Sequence, residues 1–324
     1  MPILVLVTET ELRRAEPTFT STAGFDCRPA PRGEEALSDE IVQHGARAVV
    51  VGSGIYRDRL YTTLGPGGLL ARFGVGYDNV DLARATDNGV LCTNTPDVLQ
   101  QSVAELTVTM IGAAARHVLA VARDLQAGQW APREGLELEG KTLALIGCGA
   151  IAQAVARIAA AGFGMRVVGY ARTPRQPPPH FAATTTDFAE AVRGADFVSL
   201  HIPASPENAN FLDQPRLSQL EPGAWLVNTA RGSVVDERAL FDALSSGRLA
   251  GAALDVFERE PYEPADAARD LRMLPNVLLV PHIGSNTVEA NRRMALCALR
   301  NVQLAHDGDL AALDLINPDV LSRR

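Results

Sequence analysis

Hydrophobic and polar positions along the chain predict a repeated alternation of strands and helices. Short aliphatic runs such as ILVLV (3–7) and ARAVVVGS (46–53) are typical of buried strands. The segment TELRRAEPTF (10–19) predicts a helix, and residues 69–90 predict a strand, a glycine turn and a helix. Strands that alternate with helices form parallel sheets with helices on their faces.

A second alternating series follows a long apolar segment. Residues 101–130 predict one long helix, and because this helix is apolar all round we expect it to be buried between domains or subunits. Later strands are predicted at DFVSLHIP (196–203), AWLVNTA (224–230), GAALDVF (251–257) and NVLLVPH (276–282). No strand follows the final helix, 287–309, so we expect it to pack on the N-terminal domain.

The pattern predicts an α/β fold with two doubly wound parallel-sheet domains. The chain has 324 residues, which suits two domains better than one compact core. One domain is expected to be discontinuous, built from residues 1–98 and 286–324, and the other spans residues 99–285.

Composition narrows the functional class. Hydrophobic residues make up 47% of the chain and charged residues 21%, as in a folded globular protein. The net charge of −8 disfavours a general nucleic-acid-binding protein, which needs a basic face. It leaves small anionic substrates open, because a few arginines in one cleft outweigh a distant acidic surface.

The cysteines and the N-terminus set expectations about metals and location. The four cysteines are scattered without a CxxC pair, so we expect neither a metal site nor a disulfide framework. The N-terminus reads as a first strand rather than a signal peptide, and no apolar run approaches the length of a membrane span. The expectation is a cytoplasmic enzyme.

A glycine-rich turn predicts a dinucleotide site. In LALIGCGAIAQAVARIAAAGF, Gly147, Gly149 and Ala152 match the G-x-G-x-x-G/A pattern between an apolar strand and an Ala-rich helix. Gly147 permits a tight turn, Gly149 lets main-chain amides approach the pyrophosphate, and Ala152 lets the helix lie close to the strand. With Ala150 and Ile151, which open the helix, these glycines are the expected pyrophosphate contacts.

The stretch GYARTPR (169–175) indicates which dinucleotide is bound. Enzymes that use NAD place an acidic residue after the second strand of this fold to accept from the ribose 2′-hydroxyl. Here Ala171 occupies that place, and Arg172, Thr173 and Arg175 supply positive charge and a hydroxyl. Arginine suits a 2′-phosphate, so NADP(H) is the expected cofactor and NAD(H) the alternative.

Three reactive residues follow three predicted strands. Arg231 ends AWLVNTAR, Glu260 follows GAALDVF, and His282 ends NVLLVPH. Ligands of an open parallel sheet bind beyond the carboxyl ends of its strands, where these residues meet if the strands are neighbours. Reduction of a 2-keto acid needs a cation for the carboxylate, an acid for the ketone oxygen and a carboxylate to orient that acid.

These motifs resemble those of the D-isomer-specific 2-hydroxyacid dehydrogenase family over nearly the whole chain. The matching segments include LIGCGAIAQAVA, VNTARGSVVDERAL, GAALDVFEREP and VPHIGSNT, and ARTPR is similar to the NADPH-preferring glyoxylate and hydroxypyruvate reductases of the family. The resemblance implies a flavodoxin-like substrate domain, a Rossmann-like cofactor domain and a homodimer.

The resemblance also implies a role for each site residue. Arg231 would bind the substrate carboxylate, His282 would be the general acid/base, and Glu260 its partner. The substrate would also contact Val75, Gly76 and Ser285. The implied cofactor contacts beyond the glycine turn and the ribose loop are Pro203, Thr229, Ala230, Asp255 and Gly284.

Other functions stay open at this point. One is a dehydrogenase of a larger or phosphorylated D-2-hydroxyacid such as 3-phosphoglycerate. The other is a nucleotide-sensing, corepressor-like binding protein, which the lack of a low-complexity tail disfavours. Reduction of glyoxylate or hydroxypyruvate is the leading expectation.

Overall fold

The chain divides into two compact units, each with its own parallel sheet. The computed structural model describes residues 1–323. Unit 1 comprises Met1–Leu99 and the chain from Ser285 on, and unit 2 comprises Gln100–Gly284. Unit 1 is therefore discontinuous in sequence.

Unit 1 is a five-stranded sheet with helices on its faces. Its elements in chain order are β1 (Ile3–Thr8), α1 (Glu9–Arg14), α2 (Glu16–Ser21), β2 (Phe25–Ala30), α3 (Glu34–His44), β3 (Ala48–Val51), α4 (Arg59–Leu64), β4 (Leu69–Arg72), α5 (Leu82–Asp87), β5 (Leu91–Thr93), the late helix α12 (Val288–Asp307), and the 3₁₀ helices Leu310–Ala312 and Pro318–Arg323. The strands are all parallel, in the flavodoxin-like order β2-β1-β3-β4-β5.

The central strands of unit 1 form because their side chains are aliphatic on both faces. Val5, Leu6 and Val7 of β1 are fully buried, and so are residues 49–51 of β3, as expected for a parallel strand covered on both sides. Helix α12 packs against β4 and α2, which places the end of the chain in unit 1.

Unit 2 contains a seven-stranded parallel sheet. Its elements are α6 (Gln100–Ala115), α7 (Val118–Gln126), β6 (Thr142–Ile146), α8 (Ala150–Phe163), β7 (Arg166–Tyr170), β8 (Ala183–Thr185), α9 (Phe188–Val192), β9 (Phe197–Leu200), α10 (Gln214–Leu217), β10 (Trp225–Asn228), α11 (Glu237–Ser245), β11 (Gly251–Leu254), β12 (Val277–Leu279), and the 3₁₀ helices Pro206–Asn208, Gly232–Val234, Ala267–Arg269 and Leu271–Met273. The order β12-β11-β10-β9-β6-β7-β8 reverses direction between β9 and β6, as in a Rossmann-like fold.

The two faces of this sheet bury separate apolar clusters. In β6, Leu145 faces the cluster that contains α6 and α8, and Ile146 faces the cluster that contains α9, α10 and α11. Alternate side chains of a strand point to opposite faces, so the apolar run at residues 143–146 suits this doubly covered strand.

The single helix predicted over residues 101–130 is wrong. Two helices occupy this region, α6 and α7, bent by 63°. His117 has a left-handed backbone with φ of 51°, and the amide of Leu136 donates to the Ala115 carbonyl at 2.8 Å. The returning chain thus takes a carbonyl that a continuous helix would use internally, and α7 has no buried residue.

Local geometry also divides the helix predicted over residues 10–19. The helix ends at Arg14 and restarts at Glu16, because Pro17 fits the first turn of a new helix and cannot donate within an old one. Strands β2 and β8, for which the pattern gives no prediction, lie at edges of their sheets.

Among the described residues, no single helix has the length and apolar character needed to cross a bilayer. Helices α6 and α7 meet that criterion only when the bent pair is counted together, by length and composition alone.

Candidate active site

The glycine turn between β6 and α8 is shaped by close contact with a neighbouring strand end. Gly147 has φ of +107°, and a Cβ at this position would overlap the His201 carbonyl. Only glycine combines this backbone with that contact. Ala152 is fully buried in the cluster of apolar side chains between α8 and the sheet.

The N-terminus of α8 offers main-chain donors to an anion. Gly149 is the N-cap and provides no side-chain cap, and nothing would lie within 4 Å of a Cβ placed there. Gly149 and Ala150 are exposed and Ile151 is half-buried. An open helix N-terminus that lacks a side-chain cap among residues 1–323 fits the pyrophosphate of a dinucleotide, which these residues would hold through their backbone.

The loop after β7 is tied to the glycine turn by one of its two arginines. Arg175 donates from Nη1 to the Cys148 carbonyl at 3.0 Å, and its own carbonyl accepts from the Thr184 hydroxyl at 2.8 Å. Arg172 and Thr173 are exposed on the same loop. The two arginines therefore differ: Arg175 braces the loop, and Arg172 stands at its surface.

A small pocket lies beside this loop. It has a volume of about 240 Å³ and is lined by Ala171, Thr173, Pro174, Arg175, Thr184, Thr185 and Thr186. Its lining contains no carboxylate, and it carries hydroxyls and a guanidinium. The guanidinium can donate to an anion, and the threonine hydroxyls can donate or accept.

Arg231, Glu260 and His282 meet at the carboxyl edge of the unit 2 sheet. They follow β10, β11 and β12, which are adjacent in that sheet. His282 Nδ1 lies 2.6 Å from Glu260 Oε2, while Glu260 Oε1 accepts from the Phe257 amide at 3.1 Å. Both carboxylate oxygens of Glu260 are thus used to fix its orientation.

The charge state of this group follows from its neighbours. Burial alone would raise the pKa of Glu260, but the hydrogen bond and charge of His282, the Phe257 amide and the charge of Arg231 hold it below its usual value. The carboxylate is then ionised at neutral pH and can only accept, so Nδ1 of His282 carries the hydrogen. That leaves Nε2 of the ring as the position that exchanges a proton with a ligand.

Asp255 holds the main chain that carries His282. Its carboxylate accepts from the Ile283 amide at 2.6 Å and from the Gly284 amide at 2.9 Å, and its carbonyl accepts from the His282 amide at 2.8 Å. Burial raises the pKa of Asp255 despite the two amide hydrogen bonds that oppose the rise. These contacts hold His282 in a left-handed backbone, with φ of 51°, that a non-glycine residue rarely adopts.

Two residues that sequence reasoning missed join Arg231 to the Glu260 segment. A Cβ on Gly232 would overlap the main chain at Phe257, so the chain beside Arg231 packs directly on that segment. Glu237, at the start of α11, accepts from the Glu258 amide at 2.7 Å, and burial raises its pKa. The signal in the sequence was Glu237 in SVVDERAL, a charged residue at the start of a helix.

The remaining residues expected at the cofactor site have defined contacts at the same edge. They are Thr229 (hydroxyl 2.8 Å from that of Thr107), Ala230 (amide to Asn228 Oδ1, 3.0 Å), Pro203 (carbonyl from Asn208 Nδ2, 2.9 Å) and Gly284 (carbonyl from the Ser102 hydroxyl, 2.7 Å). All of them belong to unit 2.

The residues expected to contact substrate through their backbone belong to unit 1. Val75 and Gly76 lie in the loop that follows β4, where Val75 is 36% exposed and Gly76 half-buried. Ser285, also half-buried, is the first residue after the chain leaves unit 2.

A Rossmann-like unit with a glycine turn and an Arg–Glu–His group at its carboxyl edge defines a class of dinucleotide-linked oxidoreductases. Residues 108–284 match the family described as D-isomer specific 2-hydroxyacid dehydrogenase, NAD binding domain. The chain is 40% identical over 265 residues to a glyoxylate reductase of Thermococcus litoralis, covering 78% of each protein. It is 39% identical over 231 residues to a hydroxypyruvate reductase of Thermotoga maritima, covering 70% of this chain and 74% of the relative.

A solved structure extends the similarity to nearly the full length. The NADPH-dependent glyoxylate/hydroxypyruvate reductase of Sinorhizobium meliloti, in complex with NADP and malonate, superposes with a TM-score of 0.81 at 28% identity, covering 99% of this chain and 98% of that one. The chain belongs to the D-isomer-specific 2-hydroxyacid dehydrogenase family and is an oxidoreductase of that family.

Proposed function

We propose that this protein reduces small 2-keto acids to 2-hydroxyacids, of D configuration where the product is chiral, with glyoxylate and hydroxypyruvate as its substrates and NADP(H) preferred over NAD(H). The relatives named above act on these two acids. The observation that carries the proposal is the 2.6 Å contact between His282 and Glu260, with Arg231 close enough to act on the Glu260 charge.

Each of the three side chains has one task in this reaction. Arg231 binds the substrate carboxylate, for which a guanidinium is suited by its planar set of donors. His282 gives the proton on Nε2 to the carbonyl oxygen, and Glu260 keeps the ring in the required tautomer and stabilises its charged form. A bound nicotinamide would supply the hydride, so hydride and proton together convert the carbonyl group, the aldehyde of glyoxylate or the ketone of hydroxypyruvate, to an alcohol.

The preference for NADP(H) rests on the loop after β7. Ala171 provides no carboxylate for a 2′-hydroxyl, and the exposed guanidinium of Arg172 lies on the loop beside the adjoining pocket, whose lining includes threonine hydroxyls. Unit 2 would bind the cofactor, and the Val75–Gly76 loop of unit 1 would contact the substrate carboxylate. The homodimer and the cytoplasmic location stay predictions.

The test is a panel of 2-keto acids assayed by the absorbance of NADPH and NADH. We expect glyoxylate and hydroxypyruvate to be reduced with NADPH, and His282→Ala to lower kcat by roughly 10²–10⁴-fold. His306→Ala is the matched control, because His306 is exposed near the end of α12. Near-normal turnover by His282→Ala would refute the acid assignment, and preferential turnover of a larger or phosphorylated keto acid would refute the substrate assignment.

A further inference from the structure

The loop at residues 74–76 is hydrogen-bonded to a second loop of unit 1, at residues 94–95. The carbonyl of Gly74 accepts from the Thr95 amide at 3.1 Å, and the carbonyl of Val75 accepts from Asn94 Nδ2 at 2.8 Å. The Thr95 hydroxyl also accepts from the Gly74 amide at 3.0 Å. Two consecutive carbonyls therefore face the same partner segment, residues 94–95.

Peptide geometry then fixes the direction of the next two amides. In a trans peptide the N–H points opposite to the C=O of the same unit. The Val75 N–H shares a peptide with the Gly74 carbonyl, and the Gly76 N–H shares one with the Val75 carbonyl. Both N–H groups are thus turned away from residues 94–95, and within residues 1–323 neither donates to a protein acceptor.

Asn94 itself is buried and has hydrogen-bond partners in two other segments of unit 1. It is 9% exposed, and its amide donates to the Asp314 carbonyl at 3.4 Å. Its own carbonyl accepts from Asn301 Nδ2 at 3.4 Å, and Asn301 is fully buried in α12. The burial of Asn94 and the partners on both sides of its main chain restrict the positions from which its side chain meets the Val75 carbonyl.

We propose that Asn94 is a positioning residue, which orients the Val75 and Gly76 amides as a pair of donors for the substrate carboxylate. The proposal rests on the proposed function for the identity of the anion. Successive backbone amides directed to one side form a recognised anion-binding arrangement. Asn94 does not touch the substrate; it holds the Val75–Gly76 peptide in the orientation that binding needs.

The experiment compares Asn94→Asp with Asn317→Asp. The first exchange replaces the donor to the Val75 carbonyl with an oxygen. Asn317 is a matched control because it is 5% exposed, lies in the same unit and also donates from its side chain to a main-chain carbonyl, that of Val90, at 3.0 Å. Val90 lies just before strand β5, whereas residues 94–95 lie just after it. We expect Asn94→Asp to raise the KM for glyoxylate about ten- to a hundredfold and to change kcat less than threefold. This rise corresponds to the loss of one hydrogen bond between a loop amide and the charged substrate carboxylate.

Two further measurements separate positioning from general damage. The dissociation constant of NADPH, measured by fluorescence, is expected to stay within twofold for both variants. The dissociation constant of oxalate, measured by calorimetry, is expected to rise in parallel with the KM in Asn94→Asp and to stay unchanged in Asn317→Asp. Asn94→Ala removes the donor without adding charge and serves if Asn94→Asp does not fold. An unchanged KM in a folded Asn94 variant, or an equal KM rise in Asn317→Asp, overturns the proposal.

Oxalate binding also distinguishes this inference from the proposed function. If the unmodified protein reduces no 2-keto acid yet binds oxalate in a manner that depends on Asn94, the proposed function fails and the positioning role stands. If it reduces keto acids and the Asn94 variants bind oxalate normally, the positioning role fails alone. If it neither reduces keto acids nor binds oxalate, both fail.

Discussion

Replacement of Arg172 by alanine is expected to weaken NADPH binding and to leave NADH binding nearly unchanged. Arg172 is exposed on the loop after β7, next to Ala171 and Thr173 of the pocket lining. A hydrogen bond between charged groups contributes about 1.5–3 kcal/mol. Solvent screens an exposed pair, so we take the low end of this range. Because about 1.4 kcal/mol corresponds to a factor of ten, the dissociation constant of NADPH is expected to rise about tenfold in Arg172→Ala.

Arg175→Ala is the matched comparison, because the structure gives this arginine a different task. Its guanidinium donates to the Cys148 carbonyl of the glycine turn, so its loss loosens the support of both dinucleotides. We expect Arg175→Ala to weaken NADPH and NADH by similar factors, in contrast to the selective effect of Arg172→Ala. The ratio of the two dissociation constants therefore identifies which arginine reads the 2′-phosphate.

The assay is a fluorescence titration of each variant with NADPH and NADH, followed by kcat/KM for both cofactors at fixed glyoxylate. The preference for NADPH should shrink as salt rises, since the Debye length falls from about 10 Å at 0.1 M to about 3 Å at 1 M. An equal or higher kcat/KM for NADH in the unmodified protein, or an unchanged NADPH affinity in Arg172→Ala, would refute the reasoning from this loop.

Three further substitutions each test one part of the structure. Those at Ala171, Gly232 and His201 test the choice between NADPH and NADH, the contact with the main chain at Phe257, and the pH dependence of stability. Ala171→Asp should shift the kcat/KM ratio toward NADH, because a carboxylate repels a 2′-phosphate and accepts from a 2′-hydroxyl. Gly232→Ala should lower kcat by about a hundredfold with a lower Tm, because its Cβ displaces the main chain at Phe257; normal kinetics would contradict this contact. Burial lowers the pKa of His201 to about 4, so the unfolded chain takes up the proton first and stability falls between about pH 6.5 and 4. Urea unfolding should show a fall in the free energy of unfolding of at most about 3 kcal/mol over this range, because His201 keeps partial exposure. The fall should be smaller in His201→Gln, and an equal fall in that variant would contradict the role of His201.

The elements that sequence predicts well are those whose environment is uniform along their length. Strands such as β1, β3 and β6 are covered on both faces, so nearly every position is apolar and the sequence predicts the strand without knowledge of its partners. Strand β2 (FDCRPA) is not readable in this way, because it lies at a sheet edge where charged residues and a proline are tolerated. Its identity as a strand comes from pairing with β1.

The break between α1 and α2 has a local cause in Pro17, whereas the break between α6 and α7 comes with a contact that is distant in sequence. Residues 101–130 have helical spacing throughout, and the turn at His117 is accompanied by a hydrogen bond from Leu136 to the last carbonyl of α6. The same limit applies to the candidate site. Strand ends locate Arg231, Glu260 and His282, whereas the supports of these residues are main-chain hydrogen bonds, and side-chain chemistry in the sequence does not reveal which amide a carboxylate will accept from.

In the short segment from Asp255 to Glu260, the number of residues is more important for the site than the identity of the residues between the two acids. Asp255 fixes the backbone of His282 and Glu260 fixes its ring, so the number of residues between the two acids determines how backbone and ring are brought together. Glu258 and Arg259 have exposed side chains, and exchanges there leave these contacts in place. A single insertion or deletion would separate the proton donor from its partner acid, so natural variation in this stretch is expected to proceed by substitution alone.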